Sequence, residues 1–214
     1  EIGSGLVGSE MCIRDSLMMA QIEDEELPAA EEYIMSRNGV DFIPSSMVLS
    51  VVDAKLRLEM GAEKMLSGIL ESLRDRYDAI IIDTAPTLGA LNINALAAAD
   101  EVIITVNPQL LAMMGLQDFL KTVKKIKSRI NDKLDVAGIL LTMCDARTNL
   151  CKVITEQVTD TFEGQIRIFD SKIPNTVKVG ESVYYSEPLL EYAPECKACE
   201  AYENFAKELI AYEG

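Results

Sequence analysis

Hydrophobic residues from residue 79 onward follow two alternating patterns. Short apolar runs rich in β-branched residues are typical of buried strands. Three such runs are present, at residues 79–82, 102–106 and 136–141. Helical spacing of apolar residues is found at 91–99, 114–130 and 149–162. Because strands that alternate with helices are typical of βαβ units, the sequence predicts an α/β fold with a mainly parallel sheet flanked by helices.

The first half of the chain is mostly helical in pattern. Residues 23–37 form an acidic amphipathic stretch, and residues 40–43 form a short apolar run that ends at Pro44. Residues 46–59 and 63–76 have helical periodicity. Since no repeat or linker divides the pattern, we expect one domain over residues 17–214.

The first sixteen residues, EIGSGLVGSEMCIRDS, have neither helical nor strand periodicity. Residues 6–16 resemble the translated mosaic end of a transposon-type sequencing adapter, which encodes Met-Cys-Ile-Arg-Asp. We therefore expect residues 1–16 to be a disordered, non-native leader, with a genuine flexible tail as the alternative.

Charge and composition restrict the function classes. The chain has 20 basic and 35 acidic residues and a formal charge of −15, so any DNA contact is expected to be a local basic patch. No apolar run approaches the roughly 18–20 residues that span a bilayer, and no signal-peptide pattern is present. The sequence predicts a cytoplasmic protein with no membrane partner.

Cysteine usage is that of a reducing compartment. Five cysteines and no histidine occur in a chain too large to need disulfide bonds. Cys196 and Cys199 form a CxxC motif, which is either a pair of ordinary thiols on the last helix or half of a metal site. Because structural zinc takes four closely paired ligands, the first interpretation is favoured.

The segment YDAIIIDTAPTLG, residues 77–89, carries the candidate chemistry. Its apolar run predicts a strand that ends at Asp83, and ligands bind at the carboxyl ends of parallel strands. A carboxylate there can hold the water shell of Mg²⁺. The alternative is an aspartate that only caps the following turn.

Residues 77–100, YDAIIIDTAPTLGALNINALAAAD, resemble the Walker B and switch II segment of ParA/Soj-type partition ATPases. Further blocks resemble later segments of that family in the same order. These are residues 110–126, GILLTMCDARTNL at 138–150, KIPNTVKVGES at 172–182 and the closing segment 187–210. The resemblance covers most of residues 17–214 and implies a P-loop NTPase-like fold.

The resemblance also implies site residues and cofactors. Asp83 would be the catalytic aspartate at the magnesium site and would hold Mg²⁺ through water. The implied nucleotide-binding residues are Thr84, Pro86, Met143, Asp145, Pro174 and Asn175. The segment around Met143 and Asp145 and the loop with Pro174 and Asn175 would flank the adenine. ATP and magnesium are the implied cofactors of the intact parent protein.

The chain departs from the family pattern at the phosphate loop. The family opens with a strand and a KGGxGKT-type loop, whereas none of the twelve glycines here is followed by lysine. We therefore expect the first β–phosphate loop–α unit to be missing, and this chain to bind ATP weakly and to be inactive as an ATPase. Asn175 and Lys178 stand where the family often has arginine, and lysine lacks the bidentate fork.

The family's partners are implied as well. Its members form an ATP-dependent homodimer, bind DNA without sequence preference and work with a ParB-like adaptor, so we expect nucleoid association. Arg147, Lys172 and Lys178 are the candidate DNA-binding residues. The neighbouring lysine-rich stretch at 121–129 is either part of this patch or a solvated helix face.

Two alternatives to a fragment of a partition ATPase stay open. One is an iron–sulfur cluster carrier ATPase of the same nucleotide-binding class, with the CxxC motif as ligands. The other is a truncated assembly product without function. A membrane-bound division-site regulator is disfavoured, because residues 200–213 have four acidic residues and one lysine.

Overall fold

The computed structural model describes residues 13–23, 26–45, 49–85, 89–145 and 147–213. The strands in these ranges are β1 (Met35–Arg37), β2 (Val40–Phe42), β3 (Glu101–Val106), β4 (Asp135–Cys144) and β5 (Ile168–Pro174). The helices are α1 (Ile13–Ile22), α2 (Ala30–Tyr33), α3 (Leu49–Leu56), α4 (Met65–Glu71), α5 (Ala90–Ala98), α6 (Leu110–Arg129), α7 (Asn149–Phe162), α8 (Val177–Tyr185), α9 (Leu189–Tyr192) and α10 (Lys197–Glu213). None of these helices is long and apolar enough to cross a membrane.

The described residues divide into two compact units. The first contains the residues up to Asp100 together with Ile126–Leu134, and the second contains Glu101–Lys125 and the residues from Asp135 onward. Helix α1 begins at Ile13 and so includes the last four residues of the expected leader, whereas residues 1–12 lie outside the described ranges. The assignments of a leader to 1–16 and of one domain to 17–214 stay predictions.

The first unit is built around helix α5. Its apolar core includes Leu17, Val52, Ile69 and Leu73, which come from the surrounding helices and turns. Asp53 of α3 accepts a hydrogen bond of 3.1 Å from the Leu91 N–H, and so satisfies a free donor at the start of α5.

The other end of α5 is also held by side chains. Asn131 Nδ2 donates to the Leu96 and Ala99 carbonyls at 3.1 and 2.7 Å, and Arg74 Nη2 donates to the Ala98 carbonyl at 3.0 Å. Both ends of the helix are therefore fixed by partners outside it.

A small antiparallel hairpin also belongs to the first unit. β1 pairs with β2, and the turn consists of Asn38 and Gly39 with φ values of 53° and 77°. Asn-Gly is the preferred two-residue hairpin turn because both positions need a positive φ. The sequence analysis missed the hairpin, although this dipeptide was the signal that could have found it.

The second unit contains a three-stranded parallel sheet of order β3-β4-β5. The central strand β4 is buried on both faces. Ile139 and Leu141 pack with β3, α6 and α7, whereas Ala137 and Leu140 pack with Phe169 of β5 and with α10. The layers are therefore helix, sheet and helix, which confirms the predicted parallel sheet flanked by helices.

Helix α7 shows why several elements were predictable. Its bounds equal the predicted 149–162, because Thr148 caps its N-terminus and Cys151, Ile154, Val158 and Phe162 form one buried stripe. The strands predicted at 102–106 and 136–141 and the helices predicted at 91–99 and 114–130 are present with small shifts in their bounds.

The strand predicted at 79–82 is wrong. These residues belong to no strand, and Ile81 is 93% exposed. A strand requires a neighbour for its backbone hydrogen bonds, and no described residue pairs with this segment. Asp83 therefore does not stand at the end of a strand within the described sheet.

Two other expectations are corrected in detail. The predicted helix over 63–76 is interrupted, since α4 is flanked by short 3₁₀ turns at Ala62–Lys64 and Arg74–Arg76. The segment at 172–182, which was expected to contain the loop with Pro174 and Asn175, includes the end of β5 and most of α8.

Replacement of Gly138 by alanine is expected to destabilise the second unit. A Cβ at this position in β4 would lie 2.8 Å from the Phe169 ring and 3.0 Å from the Arg167 carbonyl oxygen. Such overpacking costs about 1–3 kcal/mol, so the urea midpoint of unfolding should fall.

Gly115→Ala in helix α6 is the matched control. A Cβ there meets nothing within 4 Å, so the change should leave stability equal or raise it by about 0.5–1 kcal/mol. Equal midpoints for Gly138→Ala and the unchanged chain would contradict the packing of β4 against β5.

Candidate functional site

Two neighbouring strands of the second unit end at the same edge of the sheet. β4 ends at Cys144 and β5 ends at Pro174, and these two residues are register partners. The backbone N–H of Asn175 donates a hydrogen bond of 2.9 Å to the Cys144 carbonyl. The structure therefore brings Met143 and Asp145 close to Pro174 and Asn175, at the type of edge where open α/β sheets bind ligands.

The loop between β4 and α7 is closed by its own hydrogen bonds. Thr148 donates to the Asp145 carbonyl from its N–H at 3.0 Å and from its hydroxyl at 2.9 Å. The Arg147 guanidinium donates to the Asp145 carboxylate at 2.9 Å from both Nε and Nη2, and the Arg147 N–H adds a third bond. These bonds, the side-chain bonds most strongly, lower the pKa of Asp145 to about 2.

Met143 presents an exposed thioether at this edge. Its backbone has a φ of 54°, a left-handed conformation that is uncommon for a residue with a side chain, and its side chain is 62% exposed. Asn107, which directly follows β3, donates from Nδ2 to the Met143 sulfur at 3.7 Å. The sequence analysis missed Asn107, although a polar residue just after a predicted strand was an available signal.

A cavity of about 370 Å³ opens beside the ends of β4 and β5. It is lined by Cys144, Cys151, Lys152, Thr155, Glu156, Lys172 and Pro174. The predicted Lys172 thus shares this cavity with Lys152, which the sequence analysis missed because nothing local distinguishes it from other exposed lysines. Burial raises the pKa of Cys144 to about 11, so its thiol is protonated and is a poor metal ligand.

Lys178 lies in the first turn of α8. Thr176 caps this helix by accepting a hydrogen bond from the Lys178 N–H at 3.3 Å. The Lys178 ammonium donates to Glu181 Oε2 at 2.8 Å and lies 5.6 Å from the Tyr192 ring centre. The bond to Glu181 raises the pKa of Lys178 and lowers the pKa of Glu181.

The predicted magnesium and phosphate residues belong to the first unit. Asp83 and Thr84 are exposed in a segment without regular secondary structure, and Pro86 lies outside the described residues. Within the described ranges the Asp83 carboxylate forms no hydrogen bond or ion pair. Asn92 Nδ2 donates to the Ala85 carbonyl at 2.8 Å and ties the segment to α5.

The lysine-rich face of α6 is exposed. Lys121, Lys124, Lys125, Lys127 and Arg129 are all exposed, whereas Leu116, Leu120, Val123 and Ile126 form the buried stripe of the same helix. Lys121 forms an ion pair of 2.8 Å with Asp118. These contacts support the interpretation of a solvated helix face.

The CxxC motif lies at the N-terminus of helix α10. Cys196 immediately precedes α10, and its sulfur accepts a hydrogen bond of 3.3 Å from the Cys199 N–H. Cys199 is almost completely buried. Among the described residues no group of three or more Cys, Asp or Glu side chains could hold a metal ion. The cap contact supports the interpretation of ordinary helix thiols.

Comparison with known proteins first identifies the class of fold. The structure superposes on cobyrinic acid a,c-diamide synthase from Mycobacterium smegmatis, solved with ADP and magnesium, with a TM-score of 0.74 and 26% identity. The match covers 92% of this chain and 71% of that chain. The parallel sheet flanked by helices is therefore the fold of P-loop NTPases.

Sequence comparison then identifies the family. The family model described as an AAA domain, AAA_31, matches residues 5–136. The chain is 39% identical over 172 residues to the chromosome-partitioning ATPase Soj of Treponema pallidum, a match over 80% of this chain and 67% of that protein. It is 34% identical over 202 residues to the sporulation initiation inhibitor protein Soj of Bacillus subtilis, a match over 94% and 77%. The chain belongs to the ParA/Soj-type partition ATPase family.

Replacement of Arg147 by alanine should raise the pKa of Asp145 from about 2 towards the ordinary 3.8, because the guanidinium bonds to the carboxylate are lost. The pKa of Asp145 is lower in the folded state than in the unfolded state, so the Asp145–Arg147 pair stabilises the fold at pH values above the unfolded-state pKa. That advantage disappears as the pH falls from 3.8 to about 2. Carbon-13 NMR of the carboxyl groups would follow the titration.

Arg57→Ala is the control for this titration. Arg57 Nη2 donates to Asp53 at 2.7 Å, so its loss should raise the pKa of Asp53 and leave Asp145 unchanged. An Asp145 pKa that is equal in Arg147→Ala and in the unchanged chain would contradict the loop geometry.

Proposed function

We propose that this chain acts in ATP-driven partitioning of plasmid or chromosome copies. Family membership supports this proposal, and the observation that carries it is the meeting of the β4 and β5 ends at Cys144 and Asn175. In this proposal the two ends form one side of an adenine site, and the ATP-bound protein dimerises and binds DNA. A ParB-like adaptor would regulate the cycle.

The adenine site would use four residues at the sheet edge. The exposed Met143 thioether and the Pro174 ring offer apolar contact to the faces of a base. The Asn175 amide has no partner among the described side chains and can offer both a donor and an acceptor to the base edge. The Arg147 bonds hold Asp145 ionised, so it can accept but not donate.

Asp83 would serve the magnesium ion. Mg²⁺ typically keeps several waters and takes one or two carboxylates together with phosphate oxygens, and a single exposed carboxylate fits that donor set. The Thr84 hydroxyl follows it directly in the chain. A bound magnesium ion neutralises charge on the phosphates, and the role of Asp83 is to hold its water shell in place.

Binding of the ATP phosphates is the least supported part of the proposed site. None of the twelve glycines is followed by lysine, so the sequence contains no GK[ST] motif to supply the backbone amides and the lysine of a phosphate loop. A triphosphate bound to these residues alone would be held mainly through its base. ATP turnover is therefore expected only of a form that carries a phosphate loop.

DNA binding would use the cations near the same edge. Arg147 has an 89% exposed side chain, and Lys172 and Lys152 share one cavity. Lys178 is held by Glu181, so a DNA phosphate would have to replace that carboxylate. The formal charge of −15 opposes DNA binding, which makes the doubling of a local patch by dimerisation important.

The chain of 214 residues should bind ATP and adenosine with similar, weak affinity, because the phosphates find no preorganised donors. Residues 17–214 extended at the N-terminus by a strand, a KGGxGKT-type phosphate loop and a helix should instead bind ATP much more tightly than adenosine. Isothermal titration calorimetry with each ligand would measure both ratios. Micromolar affinity of the unextended chain for ATP would contradict the proposal.

The same extended form tests Asp83. Asp83→Ala should lower magnesium-dependent ATP hydrolysis by about 10- to 100-fold, the usual effect of losing a residue that orients a metal's ligands. Asp75→Ala, a nearby exposed carboxylate, is the matched control. Equal turnover in both variants would show that Asp83 is only a turn residue.

In the extended form with ATP, Lys178→Ala should weaken binding to all duplexes alike. Each lost phosphate contact should reduce the slope of log affinity against log salt by about 0.9. Glu181→Gln should have the opposite effect because it frees the Lys178 ammonium. Fluorescence anisotropy with two unrelated duplexes would measure both.

Lys207→Ala, an exposed lysine on α10, is the control for bulk charge. Binding of Lys178→Ala and Arg147→Ala that equals binding of Lys207→Ala would exclude these residues from the DNA contact. Absence of DNA binding by the ATP-bound form at low salt would refute the DNA part of the proposal.

A further inference from the structure

Helices α8 and α9 carry an apolar surface that the proposed nucleotide and DNA sites do not use. We define the α8–α9 patch as Val177, Val183, Tyr184, Tyr185 and Leu190, which are all more than half exposed. The only buried residue of α8 is Ser182. Large hydrophobic side chains that are grouped and exposed in this way mark interaction sites.

Three tyrosine rings contact one another at this surface. The rings of Tyr184 and Tyr185 meet edge to face with centroids 5.2 Å apart, and Tyr185 stacks on Tyr192 at 5.6 Å. Tyr184 is 82% exposed, so most of its ring is available to a partner. Tyrosine supplies large contact area at little cost in conformational entropy, and it is enriched among residues that dominate binding energy.

Hydrogen bonds fix the turn between helices α8 and α9, which carry the patch. Ser186 ends α8 with a φ of 55°, and the Glu187 N–H donates to the Ser182 carbonyl at 3.0 Å. Glu181 joins the two helices because it accepts hydrogen bonds from Lys178 at 2.8 Å and from the Tyr192 hydroxyl at 3.1 Å. A surface that is already ordered loses little entropy on binding.

The charges around the patch define its partner. Residues 177–196 contain one basic residue, Lys178, and four acidic residues, Glu181, Glu187, Glu191 and Glu195. The single ammonium is already bound to Glu181. Glu187 and Glu195 are exposed and form no side-chain ion pair with another described residue.

An apolar patch that is bordered in the sequence by mostly acidic residues, its acidic rim, fits a segment with the opposite charge. We propose that the α8–α9 patch binds a basic amphipathic segment of another protein, with apolar side chains on Val183 and Tyr184 and with Lys or Arg side chains on Glu187 and Glu195. A second copy of this chain is disfavoured as occupant, because two copies of the same acidic rim would repel each other.

The probe is a fluorescent synthetic helical peptide of leucine and lysine, about four turns long, whose leucines lie on one face. Two further peptides test the chemistry: one with glutamate in place of every lysine, and one with the same composition but no helical period. We expect the full chain to bind the first peptide at least about tenfold more tightly than either of the others.

Paired variants then locate the site. Val183→Ser with Tyr184→Ser should weaken binding of the basic amphipathic peptide about tenfold or more. Val153→Ser with Ile210→Ser, which changes exposed apolar residues of α7 and α10, should leave it unchanged. Circular dichroism would establish that both pairs are folded, and chemical shift changes at the Tyr184 and Leu190 amides would locate the peptide without a mutation.

Charge variants distinguish the effect of the acidic residues beside the patch from the effect of the net charge of the chain. Glu187→Gln with Glu195→Gln should weaken binding and flatten its salt dependence, whereas Asp160→Asn with Glu163→Gln makes the same change in net charge elsewhere and should have little effect. Equal loss in both pairs would overturn the proposal in favour of unspecific attraction to an acidic chain.

Self-association is the remaining outcome. Sedimentation velocity should show that the sedimentation coefficient of the full chain depends on concentration in the same way with and without Tyr184→Ser. A dimer that this substitution dissolves would overturn the assignment of a basic partner and would identify the patch as a contact between copies.

Discussion

The arrangement of the second unit depends on the burial of β4 on both faces. Ile139 and Leu141 face one helical layer and Leu140 between them faces the other, so a shift of β4 by one residue would turn each of these side chains to the wrong face. Gly138 adds a steric constraint, because the Phe169 ring of β5 occupies the space that a Cβ would need. The register of β5 on β4 is therefore fixed, and the Asn175 N–H meets the Cys144 carbonyl as a consequence.

That register determines which loops meet, and local ion pairs determine their charge. At the sheet edge Asp145 binds Arg147, and Lys178 binds Glu181, so each candidate DNA-binding cation near a carboxylate is already partly neutralised. Exposed pairs of this kind contribute little stability, which makes them exchangeable. In a chain with a formal charge of −15, an anionic ligand can bind here only by replacing a carboxylate or by approaching Lys152 and Lys172.

Elements that are determined by interactions between residues close in the sequence were predictable, whereas features that depend on distant residues were not. Helix α7 was predicted with its observed bounds, because its cap at Thr148 and its buried stripe are both readable in the sequence. The strand expected at 79–82 failed, because an apolar run is a strand only where a neighbour pairs with it. β5 was not recognised as a strand because Asp170, Ser171 and Lys172 interrupt its apolar pattern. The family resemblance supplied Met143, Asp145, Pro174 and Asn175, whereas Asn107 and Lys152 join the edge only through the fold.

The ion pair that holds one candidate DNA-binding residue belongs to the helix that carries most of the α8–α9 patch. Lys178 belongs to the candidate DNA-binding residues, and Glu181 belongs to the acidic residues around the α8–α9 patch. A basic side chain that takes Glu181 as its partner would leave the Lys178 ammonium free for a phosphate. By the reciprocity of linked equilibria, a phosphate that takes Lys178 would make Glu181 more available to a basic partner. The Tyr192 hydroxyl also binds Glu181, so the carboxylate keeps a fixed position in either state, and the coupling requires no movement of the backbone.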